Sequence, residues 1–362
     1  MHLPPPPAFS RPADNARSTT RSIVLRLAPE LMRTYRVPGL ACSIIWHGEP
    51  EILCFGFARA EAPVTPRTIF PIASASKPLA AVAMVRAFLD HGRTLDDPAW
   101  PLLHSWRPHP ARLHKSDLST ITLRALLSHT AGFNVHSFPW RSPDQPLVSA
   151  AQCLDGVDGP EFLVERSCEP GRAVYSGGGI TVAQAITEDL VGAEFAELAQ
   201  AYLLAPLQMT DSTFATPATP LHQLAARHDE RGAPLPYAYR GARAASNLST
   251  CIADLTRFLQ LFHGAGTAIL PPAILAEFLR PQPVLLPEPQ WSLAWYMGAG
   301  HEHTSLKAGG SKYGVWTWIE HFPTHQFSIA LLTNSENGRS VTSLILSEIR
   351  RLALGLIGPP AH

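Results

Sequence analysis

The sequence predicts an α/β protein of the α+β type, with an antiparallel β-sheet, terminal helices packed on it and an inserted, mostly helical lobe. Two observations lead to this prediction. Both ends of the chain carry strand-like segments next to an amphipathic helix, whereas the middle has helical patterns and long Pro-rich loops with few strand signals. A chain of 362 residues is also long enough to bury a large core and to form two lobes.

The N-terminal region predicts a tail, a helix and a hairpin. Residues 1–20 are rich in proline, with Pro4–Pro7 consecutive, and we expect them to be disordered. From Ser22 to Tyr35 apolar residues recur at helical spacing, and Pro29 is expected to bend this helix. The segments 39–46 and 51–57 flank a turn signal at 47–50, which predicts a β-hairpin.

The C-terminal region repeats these parts in the opposite order. Residues 315–319 alternate as a strand does, residues 327–333 form a second apolar strand, and residues 340–356 carry an amphipathic pattern. We therefore expect residues 21–95 and 290–362 to build one α/β lobe together. Residues 96–289 would form the helical lobe, with the active site between the two lobes.

Composition excludes several classes of protein. The 29 basic and 29 acidic residues balance, so the chain lacks the basic face that a nucleic-acid-binding protein needs. No apolar run approaches the ~18 residues of a membrane span, and residues 1–15 do not resemble a signal peptide, which predicts a cytoplasmic location. The five cysteines are widely spread and predict reduced, mostly buried thiols.

Ser74 and Lys77 are the strongest candidates for chemistry. They stand at the start of an apolar segment that ends at Gly92, and positions three apart share one helix face. Burial lowers the pKa of a lysine, so Lys77 could accept the proton of a nucleophilic Ser74 near a positive helix N-terminus. On spacing alone, a helix-capping Ser74 with Lys77 in solvent is the alternative.

Further segments carry a family resemblance. They are 37–39, 68–70, 126–133, 169–171, 175–179, 206–213, 247–250 and 307–310. Together and in this order they resemble the serine β-lactamase and penicillin-binding-protein superfamily, and within it the branch of class C β-lactamases, DD-peptidases, D-aminopeptidases and esterases. The resemblance covers nearly the whole chain and implies the β-lactamase/transpeptidase-like fold.

The resemblance implies roles for individual residues. Ser74 would be the acylated nucleophile, Lys77 its proton relay, and Tyr175 a partner in acid–base catalysis. Lys307, Ala308 and Gly309 would be the third motif of the family, with Gly309 admitting the substrate backbone. The N–H groups of Ser74 and Gly310 would form the oxyanion hole.

Three departures from the family pattern bear on the substrate. After Gly310, the segment 311–314 is spaced one residue off the usual pattern. Gly177 stands where an asparagine commonly binds a substrate amide, and Ala308 where a hydroxyl commonly binds a carboxylate. Both point toward an esterase or a specialised amidase, while Lys307 would suit an anionic substrate group.

We assign no chemistry to two other local patterns. His301-Glu302-His303 could bind a metal ion, but no further ligand cluster lies near, and we interpret the segment as a solvated loop. His129 lies in the segment 126–133, which is structural in the family. We expect neither a metal nor a cofactor.

The sequence thus predicts a serine hydrolase that acts through an acyl-enzyme on a small ester, amide or short peptide. An acyl transferase or cyclase, a β-lactamase or a D-alanyl-D-alanine carboxypeptidase would share every motif. An inactive sensor or scaffold would be expected to lack Ser74, Lys77 or Tyr175, and all three are present. The oligomeric state is not indicated.

Overall fold

The structure is a computed structural model. It describes residues 12–108, 118–214, 223–264, 269–284, 290–297, 305–311 and 313–355. None of the helices in these ranges is both long enough and apolar enough to cross a bilayer.

The described residues form twelve strands. They are β1 Gly39–Trp46, β2 Glu49–Arg59, β3 Ala62–Pro63, β4 Ile69–Pro71, β5 Arg227–His228, β6 Pro234–Leu235, β7 Ser249–Cys251, β8 Gln290–Trp291, β9 Tyr296–Met297, β10 Leu306–Ser311, β11 Trp316–Phe322 and β12 Phe327–Thr333. Eight of them form one antiparallel sheet in the order β3-β2-β1-β12-β11-β10-β9-β8. β1 pairs with β12, so the two terminal hairpins meet at the centre of the sheet.

The described residues also form ten α-helices. They are α1 Pro12–Tyr35, α2 Ser76–Asp90, α3 Leu123–Leu127, α4 Ala150–Leu154, α5 Gly177–Val191, α6 Phe195–Ala199, α7 Arg243–Ser246, α8 Ile252–Gln260, α9 Pro272–Phe278 and α10 Gly338–Leu352. α6 continues into a π-helical turn at Gln200–Leu204.

The terminal helices α1 and α10 pack on each other and cover one face of the sheet. Apolar side chains of this outer face, among them Ile44, Ile329 and Leu331, form one buried cluster with both helices. The prediction of a disordered tail up to residue 20 is wrong for residues 12–20, because α1 begins at Pro12. Proline suits the first turn of a helix, where its missing N–H has no partner to lose.

The opposite, inner face of the sheet shares a second hydrophobic core with the other helices. α2 is buried all round, as its apolar sequence predicts, and it packs on α5, α6 and α7. α8 instead lies on β1 and β12, where the Thr256 hydroxyl donates to the Ser43 hydroxyl at 2.7 Å.

The packing therefore differs from the predicted division at two helices. Residues 76–90 belong with the helical part and residues 252–260 with the sheet. Both helices are apolar on the face they bury, and helical periodicity does not indicate which partner covers that face.

Candidate active site

Ser74 lies in a 3₁₀ turn, Ala73–Ala75, between β4 and α2. The preceding Ala73 has φ +46°, a left-handed conformation that costs a non-glycine residue free energy. The Ser76 hydroxyl donates to the Ala73 carbonyl at 2.5 Å and accepts the Leu248 N–H at 3.0 Å. These bonds hold the turn in its strained shape, so the structure presents Ser74 on a fixed turn rather than on a regular helix.

Lys77 is buried in the first turn of α2, with 2% of its surface exposed. Its ammonium donates to the Ala245 carbonyl of α7 at 2.8 Å and lies 4.8 Å from the centre of the Tyr175 ring. The alternative in which Lys77 faces solvent is therefore wrong. Burial lowers the pKa of Lys77, and the nearby Tyr175 only partly offsets that effect.

Tyr175 joins the two residues, because its hydroxyl makes hydrogen bonds with both Ser74 and Lys77. Burial alone would raise the pKa of Tyr175. The charge of Lys77 and the two hydrogen bonds outweigh it, so the pKa lies below the ordinary value of a tyrosine. The three residues that the sequence analysis grouped thus form one hydrogen-bonded set.

Aromatic rings surround Tyr175. His129, His136 and Trp291 place their ring centres 4.8, 4.7 and 5.4 Å from its own. The His129 Nδ1 accepts the Ser176 N–H at 3.2 Å, and burial, followed by the charge of Lys77, lowers the pKa of His129 to about 3. His129 is therefore a neutral imidazole that fixes the position of Tyr175.

The sequence offered no signal for this arrangement. His129 lies far from Tyr175 along the chain, and Trp291 lies further still, beyond the helical lobe. Only the fold brings the three rings together.

Strand β10 lies against the Ser74 turn through Gly310. A Cβ on Gly310 would stand 1.9 Å from the Ile72 carbonyl oxygen and 3.1 Å from the Ala75 nitrogen, so only glycine fits. Side chains alternate along a strand, and Ala308 shares the inner face with Gly310. The structure thus brings Gly310 to the predicted site.

Lys307 and Gly309 lie on the other face of β10, so the Lys307 side chain points away from the predicted site. The Lys307 ammonium is 4.0 Å from Glu320, which also binds Arg350 of α10 beneath the outer face. A Cβ on Gly309 would meet the Trp318 ring at 3.3 Å on that same face. The third motif was placed one residue too early, and a shift of one residue moves every side chain to the opposite face.

Gly177 begins α5 directly after Tyr175, and it does not leave an open subsite in place of an asparagine. A Cβ there would stand 2.8 Å from the His136 carbonyl oxygen. The glycine is required by this close backbone approach. A side chain at this position would therefore require the backbone to shift.

A metal site has no support in the ranges that the structure describes. Among their residues one group, Asp211, Cys251 and Asp254, has the compactness of a ligand set. Its carboxylates already have partners: Asp211 pairs with Arg67, and Asp254 accepts the Ser212 hydroxyl at 2.8 Å. The His301-Glu302-His303 segment lies outside the described residues.

Comparisons with known proteins show the family to which the chain belongs. The family model described as Beta-lactamase matches residues 24–348. A "Beta-lactamase" of Psychrobacter immobilis is 25% identical over 259 residues, which cover 70% of this chain and 61% of that protein. "Esterase EstB" of Burkholderia gladioli is 27% identical over 200 residues, which cover 51% of this chain and 49% of that protein.

A solved structure, titled "Beta-Lactamase/D-Alanine Carboxypeptidase from Pseudomonas syringae", superimposes with a TM-score of 0.73. It is 19% identical, and the match covers 91% of this chain and 98% of that one. This likeness confirms the predicted fold class. The chain spans about three-fifths of the length of the first curated relatives it matches.

Proposed function

The chain belongs to the Beta-lactamase family, and from that premise we propose that it hydrolyses a carboxylic ester or amide through an acyl-enzyme on Ser74. One observation carries the proposal: the Tyr175 hydroxyl makes hydrogen bonds with both Ser74 and Lys77, and all three residues lie where β10 meets the helices. A nucleophile bonded to a base that is in turn held by a third group is the arrangement that activates serine.

Acylation begins when the Ser74 oxygen attacks the substrate carbonyl carbon. Its proton passes to the Tyr175–Lys77 pair, in which the pKa of each group lies below its ordinary value, because Lys77 is buried and its charge acts on Tyr175. The tetrahedral intermediate collapses, the bond to the leaving group breaks, and the pair returns the proton to the departing oxygen or nitrogen. The acyl group remains on Ser74.

The negative charge on the substrate oxygen needs two N–H donors. One is the backbone N–H of Ser74. Since the third motif lies one residue later than the sequence analysis placed it, Ser311, which follows Gly310, takes the second role in place of Gly310. Fixed N–H donors stabilise the negative charge of the intermediate more than they stabilise the ground state.

Deacylation reverses these steps with water. The Tyr175–Lys77 pair takes a proton from a water molecule, the hydroxide attacks the acyl carbon, and Ser74 leaves with the proton restored. The pair is thus a base in one half of the reaction and an acid in the other.

We propose that activated esters are better substrates than β-lactams. Within the described part of β10, the inner face carries Ala308 where a lysine would hold a β-lactam carboxylate, and the His136 backbone closes the position next to Gly177. A site that lacks hydrogen-bond partners for a group cannot select for it. The presence of an esterase among the relatives supports this choice.

Rapid-mixing kinetics with 4-nitrophenyl butyrate and a chromogenic cephalosporin test the proposal. We expect a burst of nitrophenol equal to the enzyme concentration and a butyryl group on Ser74 by mass spectrometry. Cephalosporin turnover should be slower than turnover of 4-nitrophenyl butyrate. Butyrylation of another residue would contradict the mechanism, and faster cephalosporin turnover would contradict the substrate preference alone.

A further inference from the structure

Two buried arginines lie beside the site without a carboxylate partner. Arg227 and Arg240 are each 3% exposed. Among the described residues no acidic side chain forms an ion pair with either of them, and the groups that raise their pKa values are tyrosines. Buried charges in proteins are normally paired, so two uncompensated guanidinium groups side by side need an explanation.

Both guanidinium groups lie against one aromatic ring. The Arg240 guanidinium carbon lies 4.5 Å and that of Arg227 5.0 Å from the Trp140 ring centre. Tyr313, just beyond β10, stacks on Trp140 at 5.5 Å and lies 5.2 Å from Arg227. We call these four residues the arginine–tryptophan cluster. Stacking holds the guanidinium planes in place and leaves their edges to bind oxygen atoms.

The cluster holds three buried N–H groups that have no acceptor among the residues that the structure describes. They are Nη1 of Arg227, Nε of Arg240 and Nε1 of Trp140. Each unsatisfied buried donor costs about 1–3 kcal/mol. Three donors, two of them on charged groups, form a built site that lacks only an acceptor with a negative charge.

The cluster is joined to the catalytic residues through one short segment. Arg240 donates its backbone N–H to the Asn247 side chain at 3.0 Å, and between these two residues Ala245 accepts the Lys77 ammonium. The charge of Arg240 acts on both Lys77 and Tyr175. A group bound at the cluster therefore lies near Tyr175 and Lys77, and Tyr175 bonds to Ser74.

Both arginines keep their charge at neutral pH. Burial lowers the pKa of Arg227 and of Arg240 to about 10, which is far above the pH of the cell. The cluster thus holds two positive charges beside the catalytic residues.

We propose that the arginine–tryptophan cluster binds a carboxylate of the substrate, so that the enzyme acts on esters or amides that carry a negative charge near the scissile bond. This inference rests on the proposed hydrolase function. The inner face of β10 carries no cationic side chain in its described part. The cluster supplies a cation instead, with Arg240 in the segment before α7. The two oxygens of a carboxylate match N–H donors that converge from two guanidinium edges.

Matched ester pairs test the proposal. One pair carries the charge in the acyl chain: mono-4-nitrophenyl adipate and its methyl ester. The other carries it in the leaving group: 4-acetoxybenzoate and its methyl ester. We expect kcat/KM of the native enzyme to favour the anionic member of at least one pair by about ten- to a hundredfold, the effect of a hydrogen-bonded charge.

The arginine variants assign the preference to the cluster. The ratio of anionic to neutral kcat/KM should approach one in Arg240→Met and fall in Arg227→Met, and Arg240→Lys should keep part of it. Arg243→Met is the matched control, because Arg243 lies on the same segment and pairs with Glu194 at 2.7 Å. It should keep the native ratio.

Three results would overturn the inference: no preference in either pair, a preference that survives both methionine variants, or its equal loss in Arg243→Met. If no ester of either charge acylates Ser74, the hydrolase proposal itself fails. Should Arg240→Met not fold, adipate should protect the native Ser74 from a fluorophosphonate and the neutral adipamide should not. Equal protection by the two would contradict the carboxylate site.

Discussion

Gly310 lies so close to Ile72 that a methyl group on its Cα would stand 1.9 Å from the Ile72 carbonyl oxygen. This contact pins the strand that borders the cleft to the turn that carries the nucleophile. It also fixes the register of β10, since it decides which residues of the strand face the site. Gly310 and Ala308 face inward, and Lys307 and Gly309 face the terminal helices.

Gly310→Ala should nearly abolish acylation. The added methyl group meets a backbone atom, so strand and turn must separate, and a displacement of about 1 Å at a reacting centre costs on the order of a hundredfold. Single-turnover kinetics with 4-nitrophenyl butyrate measures the loss. Gly309→Ala is the control: its methyl group meets the Trp318 ring, a side chain that can move, and acylation should stay within about threefold of native. If Gly309→Ala slowed acylation more than Gly310→Ala, the register of β10 would be misassigned.

The two lysines of the sequence prediction should behave differently. Lys77→Met removes a buried group that contacts Tyr175 and should slow acylation by about a hundredfold or more. Lys307→Met removes a lysine from the outer face, where Glu320 keeps Arg350 as a partner, and should change acylation by less than about threefold. Stopped-flow acylation of both variants makes the comparison. A large loss in Lys307→Met would restore that lysine to the active site.

An asparagine at Gly177 should not create a β-lactamase. Its Cβ would press on the His136 carbonyl, and overpacking of this kind costs about 1–3 kcal/mol. Thermal unfolding should show a lower Tm for Gly177→Asn, with no gain in cephalosporin acylation. Gly179→Ala, two residues along α5, meets no atom closer than 3.5 Å and should keep or raise the Tm. A stable Gly177→Asn protein with faster cephalosporin acylation would disprove this account of the glycine.

Stability should fall in mild acid because of His129. Its pKa is about 3 in the folded protein, below the ordinary value of 6.5, so only the unfolded chain binds a proton between these values. The contribution of His129 to the free energy of unfolding is complete above pH 6.5. It is lost as the pH falls toward 3, by about 1.4 kcal/mol per pH unit. Urea unfolding at pH 7 and pH 5 should therefore show a loss that is about 2 kcal/mol smaller in His129→Gln than in the native chain. His104→Gln, at an exposed site, should match the native chain; equal losses in all three proteins would refute the assignment.

Local signals in the sequence predicted most of the fold. The hairpins at both ends of the chain and the apolar helix after Ser74 depend on periodicity and turn residues, which are visible in a single segment. The packing partners of α2 and α8 could not be predicted, because the apolar face of a helix does not indicate which element covers it. The start of α1 at Pro12 was missed because proline reads as a disorder signal more often than as a first helical residue.

The sequence likewise predicted one part of the candidate site and not the rest. The order of motifs grouped Ser74, Lys77 and Tyr175, and the structure joins them by hydrogen bonds. The sequence alone could not place the third motif, because two adjacent glycines, Gly309 and Gly310, match its pattern equally well. Which of them faces the nucleophile is decided by the pleat of β10 and by its contact with Ile72. The arginine–tryptophan cluster gave no signal in the sequence, since its four residues come from separate segments of the chain, one of them strand β5.

The nucleophile assignment has the most direct test. Intact-mass spectrometry after treatment with a fluorophosphonate should show one adduct on the native chain, and peptide mapping should place it on Ser74. Ser74→Ala should show none, while Ser76→Ala, whose hydroxyl is bonded within the turn, should still be labelled. An adduct on a residue other than Ser74, or undiminished labelling of Ser74→Ala, would contradict the central claim that Ser74 is the acylated residue.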